Sequence, residues 1–190
     1  MKLWTAQTLD AYNNLINTGI YHCDETKIDN FEVWETAYDW LSVQMSKRIG
    51  KPPIGVKYPV WFWYKWNGQN KKPDLRARSS FGPKGRKMVL LEVEIPKDKV
   101  LLSDFDSWHF VLNNSHTYFS ACNEYEYNKL DKWLDSLSEE ERHKEIIKSW
   151  DSIYDITLFK NDFCQNGVWV QGTAWELKAE NIVKATPFTC

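Results

Sequence analysis

Seven basic residues cluster in one short stretch, residues 71–87, which also holds two glycines and two prolines. Asp74 is the one acid among them, so the stretch carries a net charge of +6. Glycine and proline interrupt regular structure, which predicts a loop. Arginine forks grip phosphate through paired hydrogen bonds. The stretch therefore predicts a phosphate site with Arg76 and Arg78 as ligands and Asp74 orienting Arg76, or alternatively a solvated surface loop.

Aromatic residues crowd the segment just before this loop, residues 58–66 (YPVWFWYKW). Flat rings beside Arg and Lys suit stacking on a nucleobase or a nicotinamide while the charges hold phosphate. Trp61 and Trp63 are the candidates for such a stacking wall. The alternative is a strand whose two faces are both buried in the core.

A polar group also appears late in the chain, in residues 171–176 (QGTAWE). Glu176 follows two apolar residues, and partial burial would raise the pKa of its carboxyl or demand a partner. Glu176 is therefore a candidate acid, base or ion-pair stabiliser. Strand alternation puts Gln171 on the other face of the strand unless Gly172 introduces a bulge. The alternative is a Glu exposed at the end of a strand.

Asp104, Asp106 and His109 stand close together in the segment Leu101–Asn113. A histidine beside carboxylates can act as a base, a metal ligand or a capped structural residue. No further ligand accompanies them, so no metal site is predicted. Asp104 or Asp106 also suits the N-cap of a short helix, and Asp104 and His109 are kept as candidate binding residues.

Composition excludes several classes of protein. The chain has 190 residues, a formal charge of -2 and a hydrophobic share of 43%, so it can bury a core and is neither disordered nor fibrous. Near-neutral charge argues against a dedicated duplex-binding protein. The 11 tryptophans exceed what a core of this size requires, which favours a cavity or stacking surface lined by some of them.

Motifs that are missing narrow the choice further. The sequence has no P-loop, no G-x-G-x-x-G, no G-x-S-x-G and no H-E-x-x-H. Its four separated cysteines predict neither a zinc site nor a secreted disulfide framework. It shows no long apolar run and no signal-peptide pattern. We therefore expect a reduced, cytoplasmic protein without a membrane partner.

A strand and two helices open the predicted order of elements. A short strand over residues 3–7 precedes Thr8, which suits a helix N-cap, and Gly19 suits the residue that ends that helix. Asp29 or Asn30 is predicted to cap a second helix. The apolar stripe of that helix comprises Trp34, Ala37, Tyr38, Leu41 and Met45.

The remaining predicted strands cover residues 58–66, 88–95, 100–102, 167–177 and 182–188, and the last two are expected to pair. Helices are predicted within residues 125–155, where Ser138 and Glu141 form a capping-box pattern. Because helices do not alternate regularly with strands, the order is typical of the α+β class. We predict a single α+β domain over residues 1–190, with small mixed or antiparallel sheets, N-terminal helices and an acidic helical insert at 123–162.

Five segments spread over nearly the whole chain carry its most specific pattern. They are Leu3-Trp4-Thr5 with Gln7, Tyr58-Pro59-Val60-Trp61 with Trp63-Tyr64, Pro73-Asp74-Leu75-Arg76, Leu101 to Asp106 with Trp108, and Gln171 with Trp175-Glu176. Together they resemble a bacterial family known as a domain of unknown function, family 3841. That resemblance implies a shared fold and little about activity.

A second resemblance rests on a short first strand, a helix that ends in Thr18-Gly19-Ile20, and a late strand bearing a Glu. This arrangement is similar to the ADP-ribosyltransferase fold. The resemblance implies a cleft between two small sheets that holds NAD, where Glu176 stabilises the oxocarbenium-like sugar as nicotinamide leaves. Gln171 is kept as a second catalytic candidate, and Gln7, on the first strand, as a substrate contact. The His or Arg with which such first strands hold NAD is missing here. The Gln or Glu usual two residues before the catalytic Glu is also missing, because position 174 is Ala and Gln171 lies five residues away.

Together these observations predict an NAD-dependent ADP-ribosyltransferase or NAD glycohydrolase, with NAD as substrate. The alternative is a non-catalytic module that binds a nucleotide or a nucleic acid through the same basic loop and aromatic wall. A third hypothesis is a protein-interaction role of the acidic residues 123–162. The sequence makes no prediction of oligomeric state.

Overall fold

A computed structural model of the chain describes residues 1–27, 31–160 and 165–190. Within those ranges five α-helices and ten strands form, which confirms the predicted α+β class. The helices are α1 (Leu9–Thr18), α2 (Phe31–Arg48), α3 (Phe105–Leu112), α4 (Glu124–Ser136) and α5 (Glu139–Ser149). The strands are β1 (Lys2–Thr8), β2 (Ile20–Tyr21), β3 (Val60–Lys65), β4 (Lys87–Glu94), β5 (Leu101–Asp104), β6 (Phe159–Lys160), β7 (Gln165–Asn166), β8 (Val170–Ala174), β9 (Leu177–Lys178) and β10 (Ile182–Thr189).

Six of the strands form one sheet in the order β10-β4-β1-β3-β8-β5. β4 pairs antiparallel with both β1 and β10, and β1 pairs antiparallel with β3. Two small sheets consist of β2 with β9 and of β6 with β7. The predicted pairing of residues 182–188 with residues 167–177 is therefore wrong. Residues 167–177 contain strand β8 and the first residue of β9 instead of one long strand. β10 pairs with β4 and forms one edge of the six-stranded sheet.

The chain divides into two compact units. Unit 1 comprises Met1–Trp66, Asn70–Leu101 and Gln171–Cys190, and unit 2 comprises Asn67–Gln69 and Leu102–Val170. The chain thus enters unit 2 within β5 and leaves it within β8. The acidic residues 123–162 fall inside unit 2, and the single domain over residues 1–190 stays a prediction.

Local capping explains where α1 begins and ends in unit 1. The Thr8 hydroxyl accepts a hydrogen bond from the backbone N–H of Ala11 at 3.2 Å, as the sequence predicts for an N-cap. At the other end Gly19 adopts a left-handed conformation with φ of 81° and donates its N–H to the Leu15 carbonyl at 2.8 Å. Glycine adopts this conformation without steric cost, so the helix stops there and the chain turns into β2.

Replacing Thr8 with alanine is expected to lower the free energy of unfolding by about 1 kcal/mol, because the Ala11 N–H loses its acceptor. Thr8→Ser keeps a hydroxyl at the same place and should retain most of the stability. Urea unfolding of the three proteins measures the difference. Equal midpoints for Thr8→Ala and the wild type would contradict this account of the cap.

The second helix buries four of the five residues of its predicted stripe, while Trp34 is only half-buried. Ala37, Tyr38, Leu41 and Met45 are buried, and they follow the three- and four-residue spacing of one helix face. The Tyr38 ring meets Tyr58 and Trp61 edge to face, with ring centroids 5.8 and 6.1 Å away. This aromatic contact joins α2 to β3. The predicted cap residues Asp29 and Asn30 lie outside the described residues.

Unit 2 is built around a strand-to-helix junction. The buried Asp104 ends β5 and caps α3, since its Oδ1 accepts the Ser107 N–H at 2.8 Å. Its second oxygen, Oδ2, accepts the Gly167 N–H at 2.8 Å and so ties two distant segments together. Ser138 and Glu141 form the predicted capping box of α5. Trp150 is fully buried and donates its indole N–H to the Ser115 carbonyl at 2.8 Å.

None of the helices in the described ranges combines the length and the apolar character that crossing a bilayer demands.

Candidate functional site

Four of the residues predicted for a binding site meet at one cavity of unit 1. Gln7, Trp61, Trp63 and Gln171 all line this cavity, which has a volume of about 350 Å³ and is called the tryptophan cavity below. The other lining residues are Thr5, Ala6, Tyr21, Cys23, Pro59, Val60, Phe62, Ser80 and Phe81. The wall is thus a set of aromatic rings with a few hydroxyl and amide groups, which is the usual composition of a small-molecule site.

The tryptophan cavity lies beside two neighbouring strands, β1 and β3. β1 pairs with β4 along its length, from Lys2 to Thr8, but among the described residues it pairs with β3 only at Trp4, opposite Trp63. Past that position β1 contributes residues 5–7 to the cavity, and residues 59–63 face them from the β3 side. Strand alternation puts Trp61 and Trp63 on the same face of β3. β1 and β3 therefore contribute much of the lining, including both indoles.

Gln171 contributes an unused hydrogen-bonding group to the cavity wall. It is only 6% exposed, and its Nε2 is buried with no hydrogen-bond partner among the described residues. A buried amide without a partner costs about 1–3 kcal/mol of stability. Gln7, in contrast, donates from its own Nε2 to the Thr5 hydroxyl at 2.8 Å. Of these two amides in the lining, Gln171 is the one whose Nε2 has no hydrogen-bond partner among the described residues.

Cys23 lines the same cavity, but its chemistry is suppressed. Burial raises the pKa of its thiol to about 11, and the negative charges of Asp24 and Glu25 add to the effect. The thiol is therefore protonated near neutral pH, whereas a nucleophilic cysteine needs its thiolate. Cys23 belongs to the wall of the cavity and is a poor candidate for a nucleophile.

The basic stretch forms an irregular segment with one 3-10 turn, Arg78–Ser80. Two of its residues, Ser80 and Phe81, line the tryptophan cavity. Arg78 donates from Nη1 to the Thr189 carbonyl at 3.2 Å, and Gly85 donates its N–H to the Cys190 carbonyl at 2.6 Å. These bonds fasten the stretch to the end of β10. The Gly85 N–H is consequently engaged within the chain.

Asp74 and Arg76 pair with each other, as the sequence suggests. The Arg76 Nη2 and Nε atoms donate to Oδ2 of Asp74 at 2.6 and 2.9 Å. The Arg76 side chain is 92% exposed, and neither residue is in the lining of the tryptophan cavity. Hydrogen bonds from Arg76 lower the pKa of the Asp74 carboxyl to about 2. The pair orients a guanidinium at the surface.

Arg76→Gln is expected to raise the pKa of Asp74 from about 2 toward its ordinary value of 3.8, because the ionised carboxylate loses its charged donor. The folded state gains from this pair above the ordinary value and loses the gain as pH falls through about 2. A carbon-detected NMR titration of the Asp74 carboxyl measures the change. Arg78→Gln removes a guanidinium bonded elsewhere, so an equal shift in that variant would contradict the assignment.

Glu176 occupies a different place in unit 1. Its side chain is 28% exposed, and its oxygens lie 3.5 Å from Nε2 of His22 and 3.4 Å from Nζ of Lys178. It lines a separate depression of about 420 Å³ together with Trp175. Glu176 is thus neither in open solvent nor part of the lining of the tryptophan cavity. His22, however, stands between Tyr21 and Cys23, which are both in that lining.

Asp104 and His109 belong to unit 2 and line a cavity there of about 870 Å³. Asp104 serves as the α3 cap described above, one of the two roles that its sequence context allows. His109 bonds through Nδ1 to the Phe105 carbonyl at 2.9 Å, one turn earlier in α3. The described residues contain no group of three or more His, Cys, Asp or Glu side chains arranged to hold a metal ion.

Sequence reasoning overlooked part of each lining. In unit 1 it missed Tyr21 and Cys23, although the helix stop at Gly19 places the chain next to them. In unit 2 it missed Tyr118, Tyr127 and Asn166. Asn166 precedes Gly167, a dipeptide that signals a turn and could have drawn attention to it.

Comparison with known proteins gives one match. The model of the family described as Domain of unknown function (DUF3841) matches residues 2–183, nearly the whole chain. No curated protein and no solved structure matches. The matched range contains every lining residue of the tryptophan cavity. The chain therefore belongs to the DUF3841 family, as its five sequence segments indicate.

Proposed function

We propose that the tryptophan cavity is a nucleotide site and that NAD is the nucleotide it binds. Trp61, Trp63 and Phe81 supply flat rings of the kind on which bases stack. A volume of about 350 Å³ suits a base or a nicotinamide ring with part of its ribose. Ser80 and Phe81 belong to the basic stretch. Its Lys and Arg side chains lie outside the described lining, and we propose that they reach the phosphates of the same ligand.

The observation that carries this proposal is the unpartnered amide of Gln171. A nucleobase edge or the carboxamide of nicotinamide offers an acceptor for its Nε2. Binding then removes the penalty that the ligand-free protein bears for an unsatisfied buried donor. A purely structural wall of the core has no reason to keep such a group, because leucine fills a similar volume without this penalty.

Gln171→Leu is therefore expected to have two opposite effects. It should raise the melting temperature of the ligand-free protein, since a buried amide without a partner is removed. It should also abolish most of the stabilisation that NAD or ADP-ribose confers in a thermal-shift titration. Gln44→Leu, on α2 and outside the cavity lining, is the matched control. Undiminished stabilisation of Gln171→Leu by NAD would sink the proposal.

A second candidate function is cleavage of NAD, as an ADP-ribosyltransferase or an NAD glycohydrolase with the corresponding fold. It is favoured by the contact between Glu176 and His22, which brings a carboxylate next to the segment that carries Tyr21 and Cys23. In this reaction the bond from the ribose C1′ to the nicotinamide nitrogen breaks, and its electron pair leaves with nicotinamide. Water or an acceptor nucleophile adds to C1′ and gives up a proton. Glu176 would stabilise the positive sugar electrostatically.

Nicotinamide release from NAD tests this second function separately. Glu176→Gln should lower the rate by roughly a hundredfold or more if the carboxylate stabilises the transition state. Glu94→Gln makes the same change in charge on β4, outside both depressions of unit 1. Equal rates in the two variants, or no release at all, would end the catalytic proposal and leave NAD binding to stand on the thermal-shift result.

The same cavity also suits a stretch of single-stranded nucleic acid, the other ligand class that we propose. Binding of RNA weakens steeply with salt in proportion to the phosphates contacted, whereas a dinucleotide depends on salt much less. Titrations with NAD and with a short single-stranded RNA at two salt concentrations distinguish the ligands. We propose that the protein is cytoplasmic, because NAD and RNA are both present in the cytoplasm.

A further inference from the structure

The cavity of unit 2 is larger than the tryptophan cavity and has carboxylates in its described lining. Its volume is about 870 Å³. Among the described residues its lining contains the acids Asp104 and Asp106 and the imidazole of His109, but no Lys or Arg. Unit 2 as a whole holds 13 acids and 6 bases, a net charge of -7. An anionic nucleotide has little reason to enter such a cavity, whereas a cation is attracted to it.

Asn166 lines this cavity and carries an acceptor without a partner among the described residues. It is 3% exposed, and its Nδ2 donates to the carbonyls of Asp155 and Thr157 at 2.6 and 2.9 Å. Those two bonds fix the orientation of the amide, because a flipped amide would set its oxygen against two carbonyl oxygens. Oδ1 therefore points away from that segment. It is buried and has no hydrogen-bond partner among the described residues.

Two further polar side chains join Asn166 in the lining. The His109 Nδ1 bonds to the Phe105 carbonyl, which leaves Nε2 outside that bond. Asp106 adds a carboxylate that caps nothing, since Asp104 serves as the α3 cap. Asp106 is exposed, and its partial burial and the charge of Asp104 raise the pKa of its carboxyl, whereas His109 lowers it. A positively charged N–H donor would pair with this carboxylate and with Oδ1 of Asn166.

Aromatic rings complete the wall. Tyr118 and Tyr127 stack with ring centroids 4.4 Å apart, and Phe119 and Trp169 also line the cavity. The electron-rich faces of such rings attract organic cations. Flat cations with several N–H groups satisfy the rings and the acceptors at once.

We propose that unit 2 carries a second ligand site, which binds a small organic cation of the amidinium or guanidinium class through its N–H donors. The Oδ1 of Asn166 and the carboxylate of Asp106 accept from the cation, and the tyrosine pair contacts its flat face. This site is independent of the nucleotide proposal, because none of its residues lines the tryptophan cavity.

Benzamidine and benzamide test the proposal on the full chain by calorimetry. They share a shape, but only benzamidine is a cation, so benzamidine should bind saturably and benzamide at least roughly tenfold more weakly. Asp106→Asn should weaken benzamidine roughly tenfold. Glu124→Gln makes the same change in charge on α4, outside the lining, and should bind as the wild type does.

The role of Asn166 is tested without mutating it, because its Nδ2 also bonds two backbone carbonyls and a substitution would disturb the chain. Benzamidine should shift the NMR signals of the Asn166 side-chain amide and of the Gly167 N–H. Agmatine and a capped arginine peptide then distinguish a free amine from a side chain on a partner protein, and saturable binding of either supports the chemistry. No saturable binding of benzamidine, equal binding of benzamide, or equal affinities of Asp106→Asn and Glu124→Gln would overturn it.

Discussion

Replacement of Gly167 with alanine is expected to destabilise unit 2 by roughly 3–5 kcal/mol, the largest loss that we foresee for a single methyl group. Gly167 has a φ of 70°, a left-handed conformation that costs other residues about 1–3 kcal/mol. A Cβ at this position would also lie 2.5 Å from the Ile156 carbonyl oxygen and 3.0 Å from the Thr157 carbonyl. Backbone atoms cannot swing aside, so the clash must move the chain.

The displaced chain is the one that holds the Asp104 junction. The Gly167 N–H donates to Oδ2 of Asp104, so a shift of Gly167 leaves half of a buried carboxylate without its donor. Asn166, the neighbour of Gly167, would shift as well. Loss of stability and loss of benzamidine binding are therefore expected together in this variant.

Gly68→Ala is the matched control for Gly167→Ala. Gly68 has a similar φ of 74° and also belongs to unit 2, but nothing lies within 4 Å of a Cβ added there. It reports the cost of backbone conformation alone, about 1 kcal/mol. Urea midpoints of both variants give the contribution of the clash by difference. If the two lose the same stability, the close approach to Ile156 has no energetic consequence and the prediction is wrong.

The second large effect concerns the tryptophan cavity. Replacing Trp61 or Trp63 with leucine is expected to weaken NAD binding roughly tenfold in each case, because stacking of one ring is worth about 1–3 kcal/mol. Leucine keeps an apolar side chain on β3 but has no flat face. Calorimetric titration with NAD measures the change, after circular dichroism has shown that each variant folds.

Trp133→Leu provides the control for the tryptophan variants. Trp133 lies on α4 in unit 2 and is partly exposed, so its loss should leave the affinity for NAD unchanged. Both indoles also pack against other rings of unit 1, Trp61 against Tyr38 and Trp63 against Trp66. Affinity and melting temperature are therefore reported separately. Wild-type affinity in both β3 variants would remove the stacking wall from the proposed function.

Some elements were predictable because their causes are local. The Thr8 cap, the stop at Gly19 and the capping box of Ser138 and Glu141 each depend on groups within four residues of one another. The pairing of Asp74 with Arg76 spans only two residues. The buried stripe of α2 follows from the period of the helix. Such features are determined by short stretches of sequence, so they can be predicted without the rest of the chain.

The partner of β10 was not predictable in this way. Residues 182–188 read as a strand, but nothing within them selects β4 over the late strand that comes just before. The choice depends on which sheet edge is free and which faces need cover, and both are properties of the assembled sheet. The contact of Glu176 with His22 could not be predicted from the sequence for the same reason. The pairing of β2 with β9 brings together residues 20–21 and 177–178, more than 150 positions apart in the chain.

Residue types and short-range order were thus enough to establish the class of fold, the ends of several helices and the residues worth testing, since propensity, capping and periodicity act over a few positions. Assembly of those residues into sites was decided by long-range packing. The order β1-β3-β8 brings Gln7, the indoles of β3 and Gln171 to one cavity, while Asp104 and His109 became part of another. Strand order minimises the free energy of the whole sheet, so no single segment of the chain encodes it.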